Sequence, residues 1–216
     1  WGIGQNLFFG ISLGSVLLLA AIGLAITFGV MGVINMAHGE FIMLGAYTSF
    51  VIQQFITANS LWSLVVSIPA AFIVSAIAGI ALERLVIRNL YGRPLETLLA
   101  TFGVSLILQQ FVRTVFGPLN QSVVTPELLS GALDVNAAFS MTYNRLFVII
   151  FALSVLLALW LVMHRTPFGM RVRAVTMNRG MAGSMGIQTE RMDALAFGLG
   201  SGVAGMAGVA LSQLTN

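Results

Sequence analysis

Residues 1–37, WGIGQNLFFGISLGSVLLLAAIGLAITFGVMGVINMA, contain no Asp, Glu, Lys or Arg. At a rise of 1.5 Å per residue, about 20 mostly apolar residues cross the hydrocarbon of a bilayer. This run therefore makes lipid the principal solvent of the chain. Comparable stretches follow along the sequence, and the expected spans are residues 6–31, 39–56, 61–82, 95–116, 145–163 and 192–214. The fifth of these is almost wholly apolar, the second begins with a single acid, and the last is rich in glycine. The fold class expected is all-α, a polytopic transmembrane helical bundle of about six spans forming one domain over residues 1–216.

Composition agrees and narrows the function classes. Hydrophobic residues make up 58 % of the chain and charged residues 8 %, and the mean hydropathy is +0.97, which excludes an ordinary soluble domain. All ten basic residues are Arg. Without Lys there is no Walker A phosphate loop and no Schiff-base lysine, so the chain has no ATPase site of that kind. Without Cys there is no thiol nucleophile or iron–sulfur ligand. The two His, at 38 and 164, are too far apart in sequence to suggest a metal pair. Neither a catalytic residue nor a cofactor or metal of its own is expected.

Charge is shared unevenly among the connections. Residues 165–191 carry Arg165, Arg171, Arg173, Arg179 and Arg191 against one acid, Glu190. Short Arg-rich loops stay cytoplasmic. Counting spans back from that loop puts Arg84, Arg88 and Arg93 inside, the N-terminus outside and the Val33–His38 connection at the cytoplasmic face. The connection over residues 117–144 and the turn at residues 57–60 then fall outside. Pro118, Asn120, Pro126, Gly131 and Asn136 mark the longer of the two as a linker rather than a span.

Polar side chains at membrane depth are costly unless they face water, solute or another helix. Glu40, Tyr47 and Gln54 recur every seven residues and share one helical face. Thr97, Thr101, Ser105, Gln109 and Arg113 recur every four and form a stripe that winds slowly around its helix. Such a stripe fits either a route for a small polar solute or bonding between helices. Glu40, in the first turn of its helix, is expected near the inner interface, where the helix dipole favours a carboxylate, and Arg113 is expected to snorkel to the headgroups. Gly200-Ser201-Gly202-Val203-Ala204-Gly205 matches the dinucleotide fingerprint in form only, because no strand precedes it. Ala194, Gly198 and Gly202, and then Gly200, Ala204 and Gly208, instead follow the small-residue spacing of close helix packing. A hydrolase built on Ser201 lacks a His at its depth.

Two segments resemble the permease subunits of ABC importers in the branched-chain amino-acid family. One is Asn35-Met36-Ala37-His38-Gly39-Glu40 with Met43-Leu44-Gly45-Ala46-Tyr47; the other is the Arg-rich loop, Pro167 to Thr189. Arg93 to Thr101, Arg173 to Arg179 and the ending Ala210-Leu211-Ser212-Gln213 are most similar to the urea-importing branch. The resemblance implies a multi-pass subunit of the bacterial plasma membrane that works with a second permease, two cytoplasmic ATPases that bind the ATP, and an extracytoplasmic substrate-binding protein; nucleic acid is not among its partners. It implies urea as the solute, with a branched-chain amino-acid permease of the same family as the alternative. A different class, an autonomous channel or secondary transporter, would use the same stripe without a docking loop. The family's docking pattern is Glu-Ala-Ala followed four residues later by Gly. Ala182 and Gly186 match its second Ala and its Gly, while Gly180 and Met181 replace the Glu and first Ala. Arg171, Arg173, Arg179, Ala182 and Gly186 are thus the expected ATPase-coupling residues. Tyr47, Thr97, Thr101, Ser105 and Gln109 are the expected pathway, and Asn35, Ala37, His38, Gly39 and Glu40 carry the family motif. Members of the family continue with further spans, so the chain is read as truncated after Asn216.

Overall fold

The computed structural model describes residues 2–56, 61–119, 121–136 and 139–215. The expected turn at residues 57–60, and Asn120, lie outside the described residues. The long elements are α1 (Gly2–Met31), α2 (His38–Phe55), α3 (Leu61–Leu85), α4 (Pro94–Phe116), α5 (Tyr143–Arg165) and α8 (Thr189–Leu214), with the short helices α6 (Pro167–Met177) and α7 (Arg179–Ser184) between the last two. The connection after α4 folds into an antiparallel hairpin, β1 (Ala132–Asn136) and β2 (Phe139–Thr142). Boundaries follow local chemistry. Proline opens α4 and α6, where its missing N–H costs nothing. The Thr166 side chain accepts from the Gly169 N–H to cap α6, and Asn178 accepts from the Met181 N–H to cap α7.

Five described helices are long and apolar enough to cross a membrane, against the six spans expected. The helix missing from that set is α2, whose 18 residues include His38, Glu40, Gln53 and Gln54. The bundle is built around α8, which buries 78 % of its span while the other four bury between 22 and 28 %. On one side Val203, Ala207 and Ala210 pack with Val16 and Leu19 of α1 and with Val148, Ala152 and Val155 of α5. On another, Phe197 and Ala204 pack with Ala37, Phe41 and Leu82.

The two small-residue rows of α8 meet different neighbours. A Cβ on Gly198 or Gly202 would strike Ile80 or Phe72 of α3; one on Gly200 would strike the Gly23 carbonyl of α1, and one on Gly208 the Ile42 carbonyl of α2. Backbone rests on backbone there. The opposite faces of the outer helices are apolar and bare, with Ile73 and Ile77 of α3, Ile107 and Phe111 of α4, and Leu153 and Leu157 of α5 all exposed. Lipid is the solvent that such a surface requires.

The connection after α1 departs from the expectation of a turn at the membrane face. Gly32, with φ +64°, reverses the chain, and residues 33–37 then run back beside α1. Val33, Asn35 and Ala37 are buried while Ile34 and Met36 are exposed, the period-two alternation of extended backbone. His38 Nε2 meets the Ala20 carbonyl oxygen at 2.9 Å. Ala20 lies 11 residues before the end of α1, about 16 Å along its axis. The first turn of α2 is therefore deep within the bundle. Irregular backbone at that depth is tolerated only when protein or a cavity surrounds it.

Candidate functional site

The Asn35–Glu40 segment supplies the shape of the site. Asn35 Oδ1 accepts from the Ala37 N–H at 3.0 Å, a local turn that launches α2. Ala37 has no exposed surface, leaving no room for a larger side chain. His38 ties the helix start to Ala20, and Gly39 lines a cavity. The Asn35 turn and the His38 contact thus fix where α2, and with it Glu40, begins.

Glu40 is 8 % exposed. Its Oε1 accepts from Ser105 Oγ at 2.7 Å and from Gln109 Nε2 at 2.8 Å. Ser105 stands 11 residues from either end of α4, so the carboxylate meets that helix at its midpoint. This replaces the expected interfacial position: the chain climbs back through residues 33–37 before α2 begins. One step nearer the start of α4, Thr101 Oγ1 accepts from the Met36 N–H at 3.2 Å. The polar stripe is therefore spent chiefly on the Asn35–Glu40 segment. Thr97 is not part of the cluster, since its hydroxyl donates to the Leu90 and Arg93 carbonyls at 3.1 and 2.9 Å and closes the turn before α4.

Beyond Gln109 a cavity of about 640 Å³ opens, lined by Glu40, Met43, Tyr47, Gln109, Val112 and Arg113 among others. It places a carboxylate and a guanidinium on the walls of one space. Eight residues separate Ser105 from Arg113, about 12 Å along the axis of α4. A second cavity of about 630 Å³ shares Met43 and Tyr47 and joins an apolar wall of Ile42, Ala46, Phe50, Val123 and Leu211 to a polar edge of Gln121, Ser122, Ser212 and Thr215. Tyr47 packs against Phe116 with ring centroids 4.8 Å apart. Met43 and Tyr47 thus stand between a charged and a mainly apolar compartment.

At the Arg-rich end, the expected coupling residues divide into two groups. Arg171 and Gly186 lie on the surface, and Gly186, at φ +84°, has open space around it. Ala182 is buried, packed with Val175 and Met192. Arg173 donates to the Met163 carbonyl at 2.6 Å, near the end of α5. Arg179 turns inward to Asp193 on the first turns of α8, with Nη1 at 3.3 Å from Oδ1 and Nη2 paired with Oδ2. Its guanidinium carbon also lies 4.8 Å from the Tyr91 ring centroid. The Tyr91 phenol is held well above its usual range, first by burial and then by the Asp193 carboxylate. What the segment exposes instead is methionine: Met177, Met181 and Met185.

Sequence reasoning passed over Asp193, Tyr91 and Glu83. Asp193 has no exposed surface and Glu83 only 1 %. The available signal was an acid that opens an apolar run, which at membrane depth requires a partner.

Comparison with known proteins adds identity by likeness. The family described as branched-chain amino acid transport system, permease component, matches residues 6–216. The high-affinity branched-chain amino acid transport system permease protein LivH of Salmonella typhimurium is 33 % identical over 218 residues, covering 97 % of this chain and 70 % of its own. LivH of Escherichia coli K12 gives the same figures. The corresponding permease protein BraD of Pseudomonas aeruginosa is 31 % identical over 219 residues, with the same coverage of both chains. No solved structure matches the chain.

Proposed function

The chain belongs to the branched-chain amino acid transport permease family, and from that premise we propose that it passes branched-chain amino acids through the space between α2 and α4. It is a permease component of an ABC-type importer and a multi-pass membrane protein. The observation that carries the choice of solute is the buried Glu40 carboxylate sharing a cavity with Arg113. A zwitterion presents an ammonium and a carboxylate, and a low-dielectric site accepts both only where opposite charges meet them. Glu40 takes the ammonium and Arg113 the carboxylate, while Met43 and Tyr47 turn the aliphatic side chain toward the apolar compartment.

Urea, the solute implied by the closer resemblance, requires free hydroxyl and amide groups without a fixed charge. Ser105 and Gln109, the donors it would use, are bonded to Glu40. The names of the relatives also favour the amino acid.

Transport in this reading is alternating access driven by ATP hydrolysis in two partner ATPases, with a second permease alongside and a substrate-binding protein delivering the solute. The subunit lies in a bacterial inner membrane with its N-terminus outside and residues 165–191 in the cytoplasm. The exposed Met177, Met181 and Met185, flanked by Arg171, form the docking face, because methionine adapts to an apolar cleft and arginine to an acidic rim. The test is ATP-driven uptake by vesicles holding the complete importer, with labelled leucine and labelled urea compared. Accumulation of leucine at least tenfold above urea is expected; accumulation of urea without leucine overturns the proposal.

A further inference from the structure

We propose that the Arg179–Asp193 ion pair, clamped over Tyr91, is the transmission joint of the importer, through which movement of the docking segment reaches both walls of the Glu40 site. The proposal rests on the docking of residues 165–191 on the ATPases and goes beyond it, because Arg179 faces inward and serves as a positioning residue.

Three observations converge on this guanidinium. Asp193 is fully buried while Arg179 is 41 % exposed. A carboxylate stripped of water keeps its partner, and a two-pronged arginine contact fixes distance and angle together. The pair also closes the base of a loop whose outward side is the methionine face. A push on that face is delivered at the joint rather than dissipated along a loose segment.

From the joint, two rigid routes lead to Glu40. Asp193 sits at the start of α8, the central helix, whose Gly205 and Gly208 rest on the Gly45 and Ile42 backbone of α2. With no side chains between them, a shift of α8 is passed to α2 without slack. Tyr91, whose ring lies under the guanidinium, stands three residues before Pro94 and the start of α4, which carries Ser105 and Gln109. The external Arg88–Glu190 pair, at 2.7 Å, ties the same two stretches of chain together. A displacement of Arg179 thus moves α2 and α4 from one point, and the contact they share is Glu40 with Ser105 and Gln109.

The experiment uses the complete importer in vesicles and measures three quantities: co-purification of the ATPases, ATP hydrolysis, and solute uptake per ATP hydrolysed. Uptake is read with whichever solute the wild-type complex accumulates, so the result does not depend on the identity of that solute. The principal variant combines Arg179→Gln with Asp193→Asn, leaving no uncompensated charge in the interior. ATPases are expected to co-purify, hydrolysis to stay within about twofold, and uptake per ATP to fall at least tenfold. Arg179→Lys keeps the charge but loses the fork and the stacking on Tyr91; a fall of threefold or more in the same ratio is expected, and this variant decides the matter should the double variant not assemble. An unchanged ratio in an assembled variant overturns the proposal. So does loss of ATPase co-purification with an unchanged ratio in the residual complex, which makes Arg179 a docking residue only.

Discussion

Glu40 occupies a position where a charge is expensive, and two side chains of α4 are committed to it. Such an arrangement separates charge from shape experimentally. Glu40→Gln retains an acceptor oxygen for Ser105 and Gln109 while removing the carboxylate. If the ammonium of the solute meets Glu40, the lost charged hydrogen bond costs about 1.5 to 3 kcal/mol, and the KM for leucine uptake should rise about 10- to 100-fold with the complex still assembled. An unchanged KM removes Glu40 from solute recognition. Thr97 provides the contrast within the same stripe. Its hydroxyl serves only the Leu90 and Arg93 carbonyls, so Thr97→Val should lower thermal stability by about 0.5 to 1.5 kcal/mol without moving KM. A changed KM with unchanged stability would place Thr97 on the route after all.

Helices in this bundle meet with little between them, and the contact of α2 with α8 is the tightest example. A Cβ on Gly45 would overlap the Gly205 backbone, so Gly45→Val has to part the two helices. Overpacking of this kind costs about 1 to 3 kcal/mol, and the unfolding midpoint in detergent should fall accordingly. A Cβ on Gly14 of α1 meets nothing within 4 Å, so Gly14→Ala should leave the midpoint unchanged; equal losses in both variants would mean that the crossing does not decide. The two small-residue rows of α8 were legible in the sequence because small-residue spacing has one dominant meaning among apolar helices. Which helix each row faces was not legible, since spacing on one helix is silent about its neighbours. The same holds for the Thr97–Arg113 stripe: its existence was plain, but its division into a turn clip at Thr97, a backbone clip at Thr101 and a carboxylate cradle at Ser105 and Gln109 depends on where the Asn35–Glu40 segment comes to rest.

Across the whole molecule, the long helices followed from apolar runs that admit few other structures, whereas the return of residues 33–37 into the bundle did not. Six residues after a helix, a glycine, four apolar side chains and one asparagine, read equally well as a surface turn, and only the Ala20 and Thr101 contacts distinguish the two. The hairpin of Ala132–Thr142 was hidden for a related reason: its turn formers mark a linker without saying that the linker pairs with itself. Orientation in the membrane follows from a property of the entire chain, the gathering of Arg165, Arg171, Arg173, Arg179 and Arg191 in one connection. Arginine in short loops opposes translocation, so the proposed orientation keeps that connection in the cytoplasm and puts the connection containing Ser122 on the far side. Both Ser122 and Thr176 are exposed, and the chain has no cysteine of its own. Single cysteines at these two positions should therefore react from opposite sides with a membrane-impermeant maleimide: Ser122→Cys in intact spheroplasts, Thr176→Cys only after the membrane is opened. Arg113 and Arg145, which flank the connection containing Ser122, do not remove the asymmetry, because two arginines face five. Labelling of Thr176→Cys in intact spheroplasts would invert the chain, move the methionine face to the wrong side for an ATPase, and with it overturn the docking role of residues 165–191.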